Sequence, residues 1–251
     1  TFNRKLRNIF PYTFYGCRNL KTVNFAEGLE TIEDYAFYGC TGMETIEVPK
    51  SVTTIEYRAF GGTKLTKVTL PFVGYSREAT GNSGEFFSYV FDYSYYTSEI
   101  PSALKEVIIT DATHIGNSAF KYCSNIEKVT INEGITTLGD YAFSGCSNLK
   151  EINLPESLIS TGSYAFESCT SLTNIDLPDG LKTISDYAFA YCTGITEIDF
   201  HGGIETIGNS AFYGCTGLTE IEVPKSITTI GNRAFGGTKL TKVTLPFVGT
   251  S

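Results

Sequence analysis

The chain has 251 residues, of which 41% are hydrophobic and 18% charged, and this composition is that of a folded protein with a core. Its formal net charge of −8 argues against nucleic-acid binding, because contacts with phosphate groups need a basic surface. No stretch approaches the roughly 18 apolar residues of a membrane-spanning helix, so no membrane insertion is expected.

One repeat accounts for most of the chain. An Ala-Phe pair recurs along the chain, and the distance between successive phenylalanines is constant except from Phe60 to Phe120, where it is longer. At the N-terminal end of the series the pair is Thr-Phe instead, at Phe14. The units follow the pattern L-x-x-I-x-V-P-x-x-I-x-x-I-G-x-x-A-F-x-x-C. The marker residues are Phe14, Phe37, Phe60, Phe120, Phe143, Phe166, Phe189, Phe212 and Phe235.

The pattern predicts the elements of each unit. Alternation of apolar and polar residues after the leucine indicates a short strand with one buried face, and proline ends that strand in six units. Asn or Asp two residues before some Ala-Phe pairs is typical of the cap of a short helical turn. Ten strands are predicted, beginning near Leu20, Met43, Leu65, Leu104, Ile126, Leu149, Leu172, Ile195, Leu218 and Leu240.

Such units bury their apolar faces only by stacking on one another. The predicted fold class is therefore an α/β repeat solenoid, with one parallel β-sheet and short helical or 3-10 turns opposite. The unit LTEIEVPKSITTIGNRAFGGT, residues 218–238, resembles the BspA-like family of leucine-rich repeats, and the resemblance covers nearly the whole chain apart from residues 74–103. It implies a right-handed leucine-rich repeat superhelix on the surface of bacteria or protozoan parasites, acting in adhesion to host proteins, other microbes or matrix.

The long interval, from Phe60 to Phe120, contains an insertion that we define as residues 74–103. Eight of the 34 aromatic residues of the chain fall within it, and its FFSYVF stretch can replace the missing Ala-Phe turn in the core. A long aromatic loop is more often functional than an ordinary connection, and exposed tyrosine is well suited to recognition. The candidate binding residues are Tyr89, Tyr93, Tyr95 and Tyr96, although closure of the core is the favoured role for the segment.

A second candidate surface is the outward side of the sheet. The residues that flank the central Ile or Val of four consecutive strands form an acidic stripe, bounded on both sides by lysine: Glu151, Asn153, Asn174, Asp176, Glu197, Asp199, Glu220 and Glu222. Carboxylates at this spacing repel each other, so the stripe can attract a cation or a basic partner. A merely solvated polar face is the alternative.

Seven cysteines occur three residues after a marker phenylalanine. Their wide spacing is unlike that of a zinc site, and seven equivalent copies are unlike a catalytic thiol. Stacked units can bring successive cysteines within disulfide range, but an odd number of cysteines cannot all pair. A ladder of small buried thiols that pack in the core is therefore the favoured interpretation. His114 and His201 are expected in solvent-facing loops, so no catalytic residue, metal site or cofactor is predicted.

A longer internal copy is also present, because residues 38–74 recur at 213–249 with 31 of 37 positions identical. We expect residues 1–251 to form a single solenoid that is a segment of a longer array. The function predicted is a non-enzymatic scaffold that binds a host or microbial surface protein through the concave sheet face and the insertion. A carbohydrate-binding module and a structural spacer are the alternatives, and the oligomeric state stays open.

Overall fold

The computed structural model describes residues 6–77, 86–94, 97–200 and 203–246. It is a repeat solenoid, because equivalent residues of successive units pair side by side in parallel ladders. Thr31, for example, pairs with Thr54, and Thr183 pairs with Thr206, its equivalent in the next unit. Two separate faces of each unit carry such ladders, and an aromatic turn closes the unit between them.

The first face, which we call the long-strand face, carries the strands that follow the consensus leucine. Five of them form one parallel sheet in the order β10-β9-β8-β5-β3, and two more form the pair β13-β15. Seven of the ten predicted strands are therefore present, whereas no strand forms after Leu20, Leu172 or Ile195. The strands are β3 Thr45–Glu47, β5 Lys67–Leu70, β8 Glu106–Ile109, β9 Lys128–Thr130, β10 Glu151–Asn153, β13 Glu220–Glu222 and β15 Lys242–Thr244.

The second face, the Thr-Ile face, corrects the prediction of a single sheet. Short strands pair here in the orders β1-β2-β4 and β11-β12-β14, and bridges from Thr137 to Ser160 and from Ser160 to Thr183 continue the ladder between them. The β-branched pair Thr-Ile fits this extended backbone. The strands are β1 Asn8–Ile9, β2 Thr31–Ile32, β4 Thr54–Ile55, β11 Thr183–Ile184, β12 Thr206–Ile207 and β14 Thr229–Ile230.

The helical turn predicted at Ala-Phe is not confirmed. Alternate amides of this turn donate to the next unit, as Phe37 N does to Ala59 O at 2.8 Å, while the amides between them close local turns, as Tyr38 N does to Tyr35 O at 3.1 Å. The second residue before each marker phenylalanine has a left-handed backbone, with φ of 54° at Tyr35. A helix would need every amide for bonds within its own unit, so bonding between units excludes it.

The marker phenylalanines form the centre of the core. Phe143 and Phe166 are fully buried, and their rings stack with centroids 5.3 Å apart. The same parallel stacking joins Phe166 to Phe189 and Phe189 to Phe212. One column of rings thus runs along the solenoid and is flanked by the inward residues of both ladder faces.

The part of the insertion that the structure describes closes the core between two units. The 3-10 helix Phe87–Val90 is the sole helix among the described residues, and Phe87 lies 4.8 Å from Phe120 between ring centroids. Phe60 N donates to Val90 O at 2.8 Å, and Phe91 is buried beside Phe60. The predicted substitution of FFSYVF for an Ala-Phe turn is confirmed. The hairpin β6 Asp92–Ser94 and β7 Thr97–Glu99 follows it.

Candidate functional site

The acidic stripe lies on the solvent side of the long-strand face. All eight of its residues are exposed, whereas the isoleucines between them, Ile152, Ile175, Ile198 and Ile221, are 3–9% exposed. The alternation of the sequence therefore predicts correctly which side chains point outward. The core does not use these polar side chains.

Lysine opposes glutamate at four strand pairs of this face. Lys67 pairs in register with Glu106, and their side chains form an ion pair of 2.9 Å. Lys128 pairs with Glu151. At the other end Glu220 pairs with Lys242, with an ion pair of 3.1 Å. Opposite charges on directly opposed positions stabilise a ladder, and like charges destabilise it.

The ladder is interrupted where the opposed positions carry no lysine. The segments 173–177 and 195–200 are not strands, and they lie between β10 and β13 in the order of the units. The repeat spacing opposes Asp176 to Asp199 there. Glu197 faces Glu220 by the same spacing, and Asp199 faces Glu222. Like charges on directly opposed positions disfavour pairing between 173–177, 195–200 and β13.

Backbone hydrogen bonds show the interruption directly. Where the ladder is intact, the backbone N–H of the first outward residue of a strand donates to a backbone carbonyl of the preceding unit, as Lys128 N does to Lys105 O at 3.0 Å. The equivalent amides of Asn174, Glu197 and Glu220 make no such bond within the described ranges. The preceding amide, that of Thr196, still donates to Thr173 O at 3.3 Å, so the two unpaired units stay close at this point.

The interruption is confined to the long-strand face. On the Thr-Ile face the same units stay paired, by a bridge from Ser160 to Thr183 and by the strand pairs that join Thr183 to Thr206 and Thr206 to Thr229. The units are therefore stacked in their normal order behind the interruption, and only the ladder of the long-strand face is lost.

A groove occupies the interruption. It has a volume of about 900 Å³ and is lined by Asn174, Asp176, Glu197, Asp199, Phe200 and Glu222. A smaller depression of about 270 Å³ continues it past Asp176 to Glu151 and Asn153. Both volumes are near the range of ordinary ligand sites, but the lining is more acidic than usual. Seven of the eight residues of the acidic stripe line these two depressions, which share Asp176, whereas Glu220 lies outside both and forms an ion pair with Lys242.

Sequence reasoning missed two residues of the groove wall. Phe200 and Pro224 line the groove beside the carboxylates. The prediction considered only the outward positions of each strand, and these two residues come after those positions in the sequence. Phe200 stands where most units have Val or Leu before proline, and its ring packs against Phe212 at 5.9 Å. The available signal for the recess itself was that the outward strand positions of four consecutive units carry no lysine.

The tyrosines of the insertion are not brought together with the acidic stripe in the described residues. The ring of Tyr89 is half-buried against Tyr57 and Tyr75, at centroid distances of 5.6 and 5.9 Å. Burial, with the nearby Glu56 carboxylate, raises the pKa of Tyr89 to about 12. For Tyr93 the structure describes the backbone, within β6, and Tyr95 and Tyr96 lie outside the described residues.

The cysteines form a ladder of free thiols. Cys17 is exposed, and the other six cysteines are buried. The thiol of Cys169 donates to Phe143 O at 3.3 Å, and that of Cys192 to Phe166 O at 3.0 Å, so each thiol bonds to the unit before it. Burial raises the pKa of Cys146 and Cys169 well above the ordinary thiol value. The interpretation as buried packing thiols is confirmed for six of the cysteines and is wrong for Cys17, which is exposed.

Other kinds of site find no support in the residues that the structure describes. Among them, no group of three or more His, Cys, Asp or Glu side chains is arranged to hold a metal ion, and no helix is long and apolar enough to span a bilayer. His114 is half-buried and contacts the Thr113 hydroxyl at 3.1 Å. His201 lies outside the described ranges.

Comparison with known proteins agrees with the geometry of the repeat. The family profile described as the BspA type leucine rich repeat region matches six copies, over residues 1–96 and 113–241. The chain belongs to the BspA type leucine-rich repeat family. Proteins built from these repeats generally mediate protein interactions and are generally non-enzymatic. No curated protein matches the chain significantly.

Solved structures of bacterial leucine-rich repeat proteins are similar to this BspA type chain. One from Eubacterium ventriosum is 22% identical, with 99% of this chain and 84% of the other covered and a TM-score of 0.48. One from Bacteroides ovatus is 25% identical, with 88% and 77% covered and a TM-score of 0.41. A leucine rich cell surface protein from Faecalibacterium prausnitzii is 25% identical, with 95% and 62% covered and a TM-score of 0.43.

Proposed function

We propose that this chain is a non-enzymatic binding scaffold at a bacterial cell surface, and that its partner is a protein of a host or microbial surface. The long-strand face between β10 and β13 is the proposed binding surface. The observation that carries the proposal is the recess of exposed carboxylates, which lies where the ladder of the long-strand face is interrupted between β10 and β13. Adhesion is the biological role that follows.

The architecture supports this role. Solenoids bind partners across extended surfaces that successive units build together, and here four units contribute one residue pair each to the acidic stripe. Family membership supports the location, since BspA-like proteins are typical of cell surfaces.

The insertion has a lesser part in the proposal. Phe87, Val90 and Phe91 are buried, so residues 86–91 stabilise the junction of two units. The tyrosines at 93, 95 and 96 stay predicted contacts, and a glycan is the ligand that they would suit best. A structural spacer is the remaining alternative, favoured by the near-identical copies at 38–74 and 213–249.

Binding to immobilised matrix proteins and to a glycan array tests the proposal. The triple variant Asp176→Asn, Asp199→Asn and Glu222→Gln should lose most of the binding to a protein partner, because it removes the carboxylates of the recess. Glu47→Gln is the matched control, since Glu47 is an exposed acidic residue on the same face within an intact ladder.

A second set of variants separates the surfaces. Replacing residues 78–85 by a short Gly-Ser link, or Tyr93, Tyr95 and Tyr96 by serine, leaves Phe87, Val90 and Phe91 in the core. Binding that fails with these variants and survives the triple variant would contradict the proposed surface. Binding to glycans alone would favour the carbohydrate module, and binding to nothing on either screen would favour the spacer.

A further inference from the structure

We propose that Tyr164 and Tyr187 are a modification site, at which a one-electron oxidant such as a haem peroxidase with hydrogen peroxide forms a dityrosine cross-link within the chain. The cross-link joins two neighbouring units covalently at their aromatic turns. This inference goes beyond the proposed function and does not depend on it.

The first argument comes from the geometry of a tyrosine column. Tyr141, Tyr164 and Tyr187 occupy the same position in three consecutive units, two residues before the marker phenylalanine. The ring centroids of Tyr164 and Tyr187 are 4.6 Å apart with 4° between the ring planes, and those of Tyr141 and Tyr164 are 4.7 Å apart with 6°. All three residues share the left-handed backbone conformation of the turn. Equivalent carbon atoms of successive rings therefore face each other.

The second argument comes from the coupling reaction. The oxidant removes one electron and one proton from each phenol, which leaves two neutral tyrosyl radicals. The radicals couple by a carbon–carbon bond between one Cε atom of each ring, and the hydrogen on each of these carbons moves to the phenol oxygen. The two side chains together lose two hydrogen atoms, and hydrogen peroxide is reduced to two molecules of water. Coupling is efficient where the reacting atoms are already held close together, as in the stacked pair.

The third argument comes from the surroundings of Tyr164. Both Tyr164 and Tyr187 are partly exposed, so their edges are open to an oxidant in solution. Burial, with the neighbouring tyrosines and the carboxylates of Glu167 and Asp186, raises the pKa of Tyr164. The phenol is therefore protonated at neutral pH, and the carboxylates are near enough to accept the proton that leaves with the electron.

A lysine distinguishes the two pairs of the column. The Lys121 Nζ lies 4.3 Å from the ring centroid of Tyr141, on the end of the column away from Tyr187. A cation over an aromatic ring is attracted to its electrons and opposes the removal of one of them. Oxidation is thus disfavoured at Tyr141, and Tyr164 with Tyr187 is the preferred pair.

The position of the pair gives the cross-link a structural role. Tyr164 belongs to the unit of β10, and Tyr187 belongs to the next unit, that of 173–177. No ladder on the long-strand face joins these two units within the described residues. A covalent bond between them restricts the unfolded chain, as a disulfide does, and so strengthens an interface that lacks this ladder.

Oxidation of the full chain with a haem peroxidase and hydrogen peroxide tests the inference. Dityrosine fluorescence follows the reaction, and trypsin then releases residues 151–182 joined to 183–225, in which fragmentation locates the bond. We expect the bond between Tyr164 and Tyr187 to form at least tenfold more than one between Tyr191 and Tyr213, whose rings are 5.6 Å apart but nearly perpendicular. Oxidation in urea should abolish this preference. Equal yields at the two pairs in the native chain, or bonds mainly between different molecules, would overturn the inference.

Variants give a second readout. Tyr164→Phe should abolish the product while keeping the stacked ring, and Tyr191→Phe, the matched control, should leave it unchanged. Lys121→Met should raise the yield of the bond between Tyr141 and Tyr164, because the cation no longer covers the ring. Urea unfolding before oxidation establishes that each variant is folded. After oxidation the original chain should unfold at a higher urea concentration than Tyr164→Phe, and equal midpoints would contradict the structural role of the bond.

Discussion

Burial controls the chemistry of individual cysteines in this chain. The thiolate is the reactive form of cysteine, and burial disfavours that charged form. The pKa values of Cys40, Cys146, Cys169 and Cys215 are accordingly raised, with desolvation as the largest cause. In two units a threonine takes the cysteine position, and the Thr63 hydroxyl donates to Phe60 O at 2.8 Å. A small hydrogen-bond donor is therefore what the position requires.

Thiol labelling tests this description of the cysteines. With a maleimide at mildly alkaline pH, we expect Cys17 to react rapidly in the native chain and the six buried cysteines to react only after denaturation. Peptide mass spectrometry after timed labelling identifies each site. Labelling of Cys169 as fast as Cys17 in the native chain would show that the ladder is accessible.

Glu127 provides a pH-dependent test at a single side chain. Hydrogen bonds from Lys150 and Lys105 hold its pKa below the ordinary glutamate value. A depressed pKa in the folded state stabilises the protein above the unfolded pKa of about 4.3, and this contribution is lost as the pH falls through the folded pKa.

We expect Glu127→Gln to lower the free energy of unfolding at pH 7 by a small amount, because the pair is exposed, and to have no effect at a pH well below 4. Urea midpoints of the two proteins across this pH range measure the difference. A difference that is constant with pH would contradict the ionic origin of the effect.

Units of the Thr-Ile face approach each other closely at Gly162, which follows Ser160 and Thr161. A Cβ placed on Gly162 would lie 2.2 Å from Gly139 O, which is backbone and cannot swing away. We expect Gly162→Ala to destabilise the fold by about 1–3 kcal/mol through overpacking. Ser163→Ala, the adjacent control, should change stability by less than about 0.5 kcal/mol. Denaturant unfolding of both variants measures the contrast, and equal effects would contradict the steric account.

Strands were predictable from the sequence where their signal is local. Alternation assigns Ile152 and Ile175 to the core and Glu151 and Asn174 to solvent, and the structure agrees. The aromatic turn was not predictable, because its left-handed position carries Tyr35, Arg58 or Ser118 in different units, and no shared residue type marks it. Its form depends on hydrogen bonds to the next unit, which the sequence of one unit does not contain.

The candidate site was predictable as a set of exposed residues but not as a recess. The acidic stripe follows from residue order alone, whereas the loss of pairing at 173–177 and 195–200 depends on rungs between units. The constant spacing of the repeat does predict which residues of neighbouring units oppose each other, including like-charged pairs such as Asp176 with Asp199. The loss of ladder pairing between β10 and β13 is a cooperative property of the stacked units.

Stability along the solenoid is expected to vary with the pairing of its units. In repeat proteins each unit contacts its neighbours alone, so stability is close to a sum of unit and interface terms. On the long-strand face the units from Thr45 to Asn153 are joined by one ladder, and the interfaces on either side of 195–200 lack it. The Thr-Ile ladder and the phenylalanine column hold those interfaces instead.

Amide hydrogen exchange tests this distribution of stability across the molecule. Lys128, Glu151, Asn174 and Glu197 occupy one position of the repeat, and the first two donate to the preceding unit while the last two do not. After correction for intrinsic rates, we expect the amides of Asn174 and Glu197 to exchange at least tenfold faster, or about 1.4 kcal/mol less protected. In Asn174→Lys, exchange at Glu197 should slow, because the new lysine supplies the missing opposite charge. Equal protection at all four positions would show that the sheet is continuous and that the recess is closed.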